Sequence, residues 1–346
     1  MGPQDPKDVT RDAARDLSGM VGELAALKAA AHHWLTVPEY AAQSTLPWQE
    51  RGFGRRIHKM SADGRIARGG VGEPTVGESP SETQSEQYSL AKILGIWALA
   101  AAPMGILGWM GWFVSPLLAS QFGLDSLGVF VTRLVLLMLG LIWLFVLSMI
   151  IIRREEGDLR WTTVKRRLRL NAPREPTTGQ PRARLWLWIV PFLVAVAVVE
   201  LILGSPLANA WASVFPSLAE PAGYGFDSIF ESQEILAGLE GAWWFFALIV
   251  VMSVFNTILG EEFLFRGVLL PKMEGVFGRG SWVANSILFA LYHVHKPWVI
   301  PNAVLTGLLY TFPAYRYRST WMSIILHSAQ SVYFALLVLG IVLGLA

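Results

Sequence analysis

Long uncharged apolar runs set the first limit on this chain. A hydrocarbon core of about 30 Å takes about 20 mainly apolar residues in a helix. Residues 93–120, 128–152, 185–204, 242–259 with a continuation to 270, and 321–345 meet that requirement clearly. Residues 282–295 and 299–315 are shorter and carry polar groups. The expectation is an all-α polytopic membrane helix bundle of about seven transmembrane helices with a polar intramembrane site. Composition agrees, since 53% of the 346 residues are apolar and 16% are charged, against about 25% charged in soluble domains.

Lys and Arg near span ends are retained on the cytoplasmic side, so the loops predict an orientation. Ten Lys or Arg lie between Arg153 and Arg184, whereas residues 205–241 hold none and carry Glu220, Asp227, Glu231, Glu234 and Glu240. Arg266, Lys272, Arg279, Arg316 and Arg318 fall with the first group, Arg133 and Lys296 against it. The N-terminus is expected in the cytoplasm and the C-terminus outside, in the plasma membrane of a bacterium. The net charge of +2 gives no reason to expect a nucleic-acid partner, and the absence of cysteine excludes disulfides and thiolate metal sites. The polar N-terminus shows no signal-peptide pattern.

Residues 1–90 read as a cytoplasmic extension and 91–346 as the transmembrane domain. Leu17, Met20, Val21, Leu24, Leu27, Ala31 and Leu35 form one helical stripe over about 14–36. That stripe could dock on the bundle, lie on the membrane or mediate self-association. Residues 61–89, rich in Gly, Ser, Glu and Thr, read as a disordered linker. His32 and His33 point about 100° apart on a helix, which argues against a metal site. The basic stretch around Trp161 and Leu168 is amphipathic and suits anionic membrane lipids.

Ionisable groups inside a span are costly and by default mark function. One span holds Glu261, Glu262 and Arg266, the next His293, and the last His327. Glu262 and Arg266 stand four apart on one helix face, a pairing spacing, while Glu261 is rotated about 100° away. That division leaves a structural carboxylate and a candidate reactive one, although an ion cluster that only locks helices together would look the same. Two histidines on two further spans favour chemistry, because bundle sites draw one group from each of several helices. Arg133 and Glu200 read as snorkelling or mutually paired residues near span ends, and His295 with Lys296 as span-end residues.

Known intramembrane chemistries narrow the choice. There is no His-Glu-x-x-His for a zincin, no Gly-x-Ser-Gly for a rhomboid-type serine protease, and no paired intramembrane aspartates, since Asp125, Asp158 and Asp227 all lie in loops. A glutamate-centred hydrolase remains, with a proton-coupled transporter disfavoured by the apolar outer halves of the spans.

Glu261-Glu262-x-x-x-Arg266, Phe289-x-x-x-His293 and His327, flanked by Gly260 and by Gly307-Leu-Leu-Tyr310, resemble the CPBP intramembrane proteases. These include type II CAAX prenyl endopeptidases and bacteriocin-processing proteins, and the likeness covers about 185–346. It implies a membrane-embedded peptidase acting on a membrane-associated peptide or protein, lipidated or not. It implies that Glu261 activates water, while His293 and His327 orient that water and stabilise the oxyanion. Ser331 stands where the family usually has asparagine, so Gln330 or Asn285 would have to assist. No cofactor is expected; zinc, if present, would take Glu261, His293 and His327. The alternative is a non-catalytic membrane scaffold of the same fold.

Overall fold

The computed structural model describes residues 86–221, 224 and 232–345, so the expected stripe at 14–36 and all but the end of the linker lie outside the described residues. The described chain is helical, with an isolated bridge between Arg174 and Pro181 and no strand among the described residues. Helix α1 (Leu90–Phe122) begins where the Ser89 side chain accepts the Lys92 N–H and ends at Gly123, whose φ of 64° suits glycine. Helix α2 (Ser126–Glu156) returns from an Asp125 cap bonded to Gly128 N at 2.7 Å. A short α3 (Trp161–Arg167) leads to α4 (Ala183–Val214), then α5 (Gln233–Leu239) and the site-bearing α6 (Trp243–Lys272). A single turn, α7 (Glu274–Phe277), precedes α8 (Ser281–Tyr292), α9 (Ile300–Arg316) and α10 (Thr320–Val342).

Helices α1, α2, α4, α6 and α10 are long and apolar enough to cross a membrane. Their outward faces are apolar, with Phe113 and Leu117 of α1 64% and 66% exposed. Patches of this kind call for lipid rather than water, and the chain is an integral membrane protein. The expected count of seven is not met by length. Helices α8 and α9 have 12 and 17 residues, about 18 and 25 Å of rise, short of a core of about 30 Å. They pack on each other as a hairpin, its tip at 293–299. The chain turns there because His293 leaves helical geometry and Lys296 precedes Pro297, which disfavours helix at the residue before it.

In lipid, helices gain little from hydrophobic burial against one another and associate through close packing. Glycine makes this possible at two points on α6. A Cβ on Gly260 would lie 2.5 Å from the Phe255 carbonyl oxygen and 2.9 Å from that of Leu141 on α2. A Cβ on Gly267 would meet the Leu168 side chain at 2.5 Å. The main core lies between α1, α2, α6, α8 and α10, around Met104, Leu144, Phe265, Phe289 and Ile324. A second cluster joins α2, α5, α6 and α10 through Phe130, Leu239, Phe245 and Val338.

A polar knot anchors one end of the bundle. Glu155 binds Lys92 and Arg167, each at 2.9 Å, and accepts the Tyr88 hydroxyl. Arg167 reaches on to the Gly267 carbonyl at 3.1 Å, tying α3 to the helix that holds the glutamates.

Candidate active site

Glu261 and Glu262 sit between two π-helical segments of α6, Phe255–Gly260 and Phe263–Leu269. Single π turns inside α-helices recur at functional sites because they free backbone groups and re-aim side chains. Asn285 on α8 answers one of those freed groups, its Nδ2 donating to the Phe265 carbonyl at 2.8 Å. This places Asn285 in support of the helix, a correction to its expected role as an alternative donor at the reacting centre.

The Glu262 carboxylate is buried and fully engaged. Its Oε1 pairs with Arg266 Nη1 at 3.0 Å and with His327 Nδ1 at 2.9 Å, while Oε2 accepts the Ser323 hydroxyl. Arg266 is held in turn by Thr311, whose Oγ1 lies 3.1 Å from its Nε, and by the Phe289 ring 4.1 Å beneath its Cζ. Aromatic support of a desolvated guanidinium is favourable. Tyr310 stacks on His327 with centroids 4.7 Å apart.

With Glu262 as acceptor, the Nδ1 proton of His327 is directed to it, and Nε2 is left 3.8 Å from Oε2 of Glu261. His293 is fixed likewise, its Nδ1 against the Phe289 carbonyl at 2.9 Å. Both imidazoles edge onto Phe289, at 5.0 and 5.9 Å between centroids. Glu261 lacks the dense partnership of its neighbour. Its side chain lies on the wall of a cavity of about 580 Å³ between α1, α2, α4, α6 and α10.

Of the six residues singled out from sequence, Glu261 and Ser331 line that cavity, and Glu262, Arg266, His293 and His327 are gathered behind it. Sequence reasoning missed Ser323 and Thr311. Ser323 stands four residues before His327, on the same helix face, a spacing that could have flagged it; Thr311 gave no such signal. His295 and Lys296, read as span-end residues, follow the end of α8 in the hairpin tip, and there both line the cavity. His295 is buried against Gly108 of α1, where a Cβ would come within 2.4 Å of the His295 Cβ. Glu200 lines the same cavity, and Arg133 lies over the Trp112 and Tyr224 rings with Nε 3.2 Å from Ser115 Oγ.

The Nδ1 bonds of both histidines are of the kind that orient metal-bound imidazoles. Yet no three His, Asp or Glu side chains converge as a metal-binding group among the described residues, and Glu261, His293 and His327 do not form one.

An integral membrane helix bundle with a buried carboxylate, guanidinium and imidazole centre beside an apolar cavity defines a class, that of proteins with a polar site inside the membrane. Residues 242–333 match the family model described as type II CAAX prenyl endopeptidase Rce1-like. The matched segment runs from the start of α6 into α10 and contains all six candidate residues. Searches of curated proteins and of solved structures returned no match.

Proposed function

We propose that the chain is an intramembrane endopeptidase in which Glu261 is the general base. Water between Glu261 and the imidazoles gives its proton to Glu261 as its oxygen attacks the scissile carbonyl carbon. The proton passes to the leaving amine as the C–N bond breaks, yielding an acid and an amine. His327 is oriented by its Nδ1 contact with Glu262 so that Nε2 faces the oxyanion, and preorganised groups of this kind supply a large share of catalysis. His293 steadies the water from the facing helix, and Ser331 adds a shorter donor at the cavity wall. The observation that carries this reading is the unequal environment of the two carboxylates: Glu262 is saturated by Arg266, Ser323 and His327, whereas Glu261 faces the cavity.

The mechanism is metal-free, a reading supported by the lack of a converging ligand set. Loop charges support a cytoplasmic N-terminus and an outer C-terminus. A re-entrant α8/α9 hairpin preserves those sides, since five spans and seven are both odd.

The test is cleavage of a farnesylated CAAX peptide and of a lipid-free peptide library by purified protein. Glu261→Gln and His327→Ala should each lower turnover by about 10²–10⁴-fold. Equal inertness of wild type and both variants on every substrate would favour the non-catalytic scaffold, a reading that rests on Ser331 in place of a longer donor.

A further inference from the structure

The paired glutamates lie at one end of the cavity, not in its middle. On α6 the lining residues Ile249, Met252, Ser253 and Asn256 all precede Glu261, and on α10 those from Ala329 to Phe334 all follow His327. The two helices are antiparallel, the Gly241 N–H meeting the Val342 carbonyl at 2.9 Å, so both sets lie toward the end that carries residues 205–241. In the other direction α6 is closed. Every residue from Glu261 to Met273 is buried, whereas Met252, Ser253 and Asn256 are half-buried. Leu168 packs on Gly267 and Arg167 donates to its carbonyl, which seals that end. The seal is on the basic side of the bundle, where ten Lys or Arg lie between Arg153 and Arg184. Residues 205–241, at the end toward which the cavity extends, hold none, and by the bias of loop charges that end faces away from the cytoplasm. Charge at this end is negative. Glu200, Glu220 and Glu261 all act on the ammonium of Lys296 and outnumber it, while Glu234 and Glu240 are exposed nearby in sequence.

We infer that the substrate is an exported polypeptide, presented to Glu261 from the outer face of the membrane, with basic residues flanking the apolar ones that enter the cavity. Cytosolic chains meet the sealed end of the bundle instead. This inference rests on the peptidase reading and on the orientation read from loop charges, and it adds the side and the charge of the substrate.

The side of access is tested without catalysis. Ser253→Cys is treated with an impermeant thiosulfonate in spheroplasts and in inverted vesicles, with Ser213→Cys and Thr177→Cys marking the two faces. Ser253→Cys should react from the face at which Ser213→Cys reacts, and that face should be the outer one. Reaction from the Thr177 face, reaction from neither, or an inverted pair of markers overturns the inference.

Cleavage is tested with impermeant quenched peptides, an apolar core flanked by lysine or by glutamate, each rate corrected by that of Glu261→Gln. Spheroplasts carrying wild type should cleave added peptide and inverted vesicles should not. With purified protein, kcat/KM should be about tenfold higher for lysine flanks. Cleavage by inverted vesicles or by neither preparation, or no preference for lysine, overturns the inference while activity of the purified protein keeps the peptidase reading. Inertness of the purified protein on every peptide marks failure of that reading, and the labelling then decides the side of access by itself: reaction of Ser253→Cys at the outer face supports it, and any other pattern overturns it.

Discussion

His327 places Nδ1 2.9 Å from Oε1 of Glu262 and Nε2 3.8 Å from Oε2 of Glu261. One imidazole therefore touches both members of an adjacent acidic pair, through different nitrogens. The contact with Glu262 is a hydrogen bond, and the approach to Glu261 is too long for one. The two glutamates should consequently respond differently to the same substitution.

Glu262→Gln leaves Arg266 buried without its charge partner and loosens the orientation of His327. Removing one member of a buried ion pair costs about 3–5 kcal/mol, so the melting temperature in detergent should fall along with activity. Glu261→Gln should lower turnover by about 10²–10⁴-fold while thermal stability holds. Equal destabilisation by the two variants would contradict the division of roles.

At Gly260 a methyl group has no room, because two backbone oxygens lie within 3 Å of where it would sit. Gly260→Ala should destabilise by about 1–3 kcal/mol through overpacking and displace the adjoining glutamates. Thermal melting and kcat read together should show both losses. An unchanged kcat would mean that α6 can shift away from α2 without cost.

Ser331→Asn lengthens a hydrogen-bond donor on the cavity wall. The expected outcome is a higher kcat, by about tenfold at most, given that one well-placed donor to an oxyanion is worth about 10²–10³ in rate and Ser331 already supplies part of it. A fall in kcat with unchanged KM would remove Ser331 from the reacting centre.

Prolonged dialysis against a chelator should leave peptide cleavage intact. Loss of activity that added zinc restores would replace the metal-free mechanism by one using the histidine nitrogens as ligands.

The chain has no native cysteine, so single cysteines report sidedness without background. In intact cells, Thr177→Cys should resist an impermeant maleimide and Ser213→Cys should react. The reverse pattern would invert the orientation read from the loop charges.

The sequence by itself determined the features that depend on near neighbours. Apolar run length gave the five long helices, and the i,i+4 interval gave the Glu262 to Arg266 pair, seen at 3.0 Å. The motif residues were legible for the same reason, as ordered spacings along three helices. Tertiary structure alone decided what depends on how helices meet. The 282–315 region became a hairpin of two short helices because packing on neighbours, which no run length records, fixed where the chain turned. Ser323 and His327 converged on Glu262 from more than 60 residues away. Glu262 was thereby saturated, while Glu261 was left at the cavity wall. Lys296 and His295, at a span end as their sequence position suggested, also line that cavity, which only the packing of other helices creates. Helical periodicity specifies a direction around one axis, but the distance to a group on another axis is fixed only when side chains interlock.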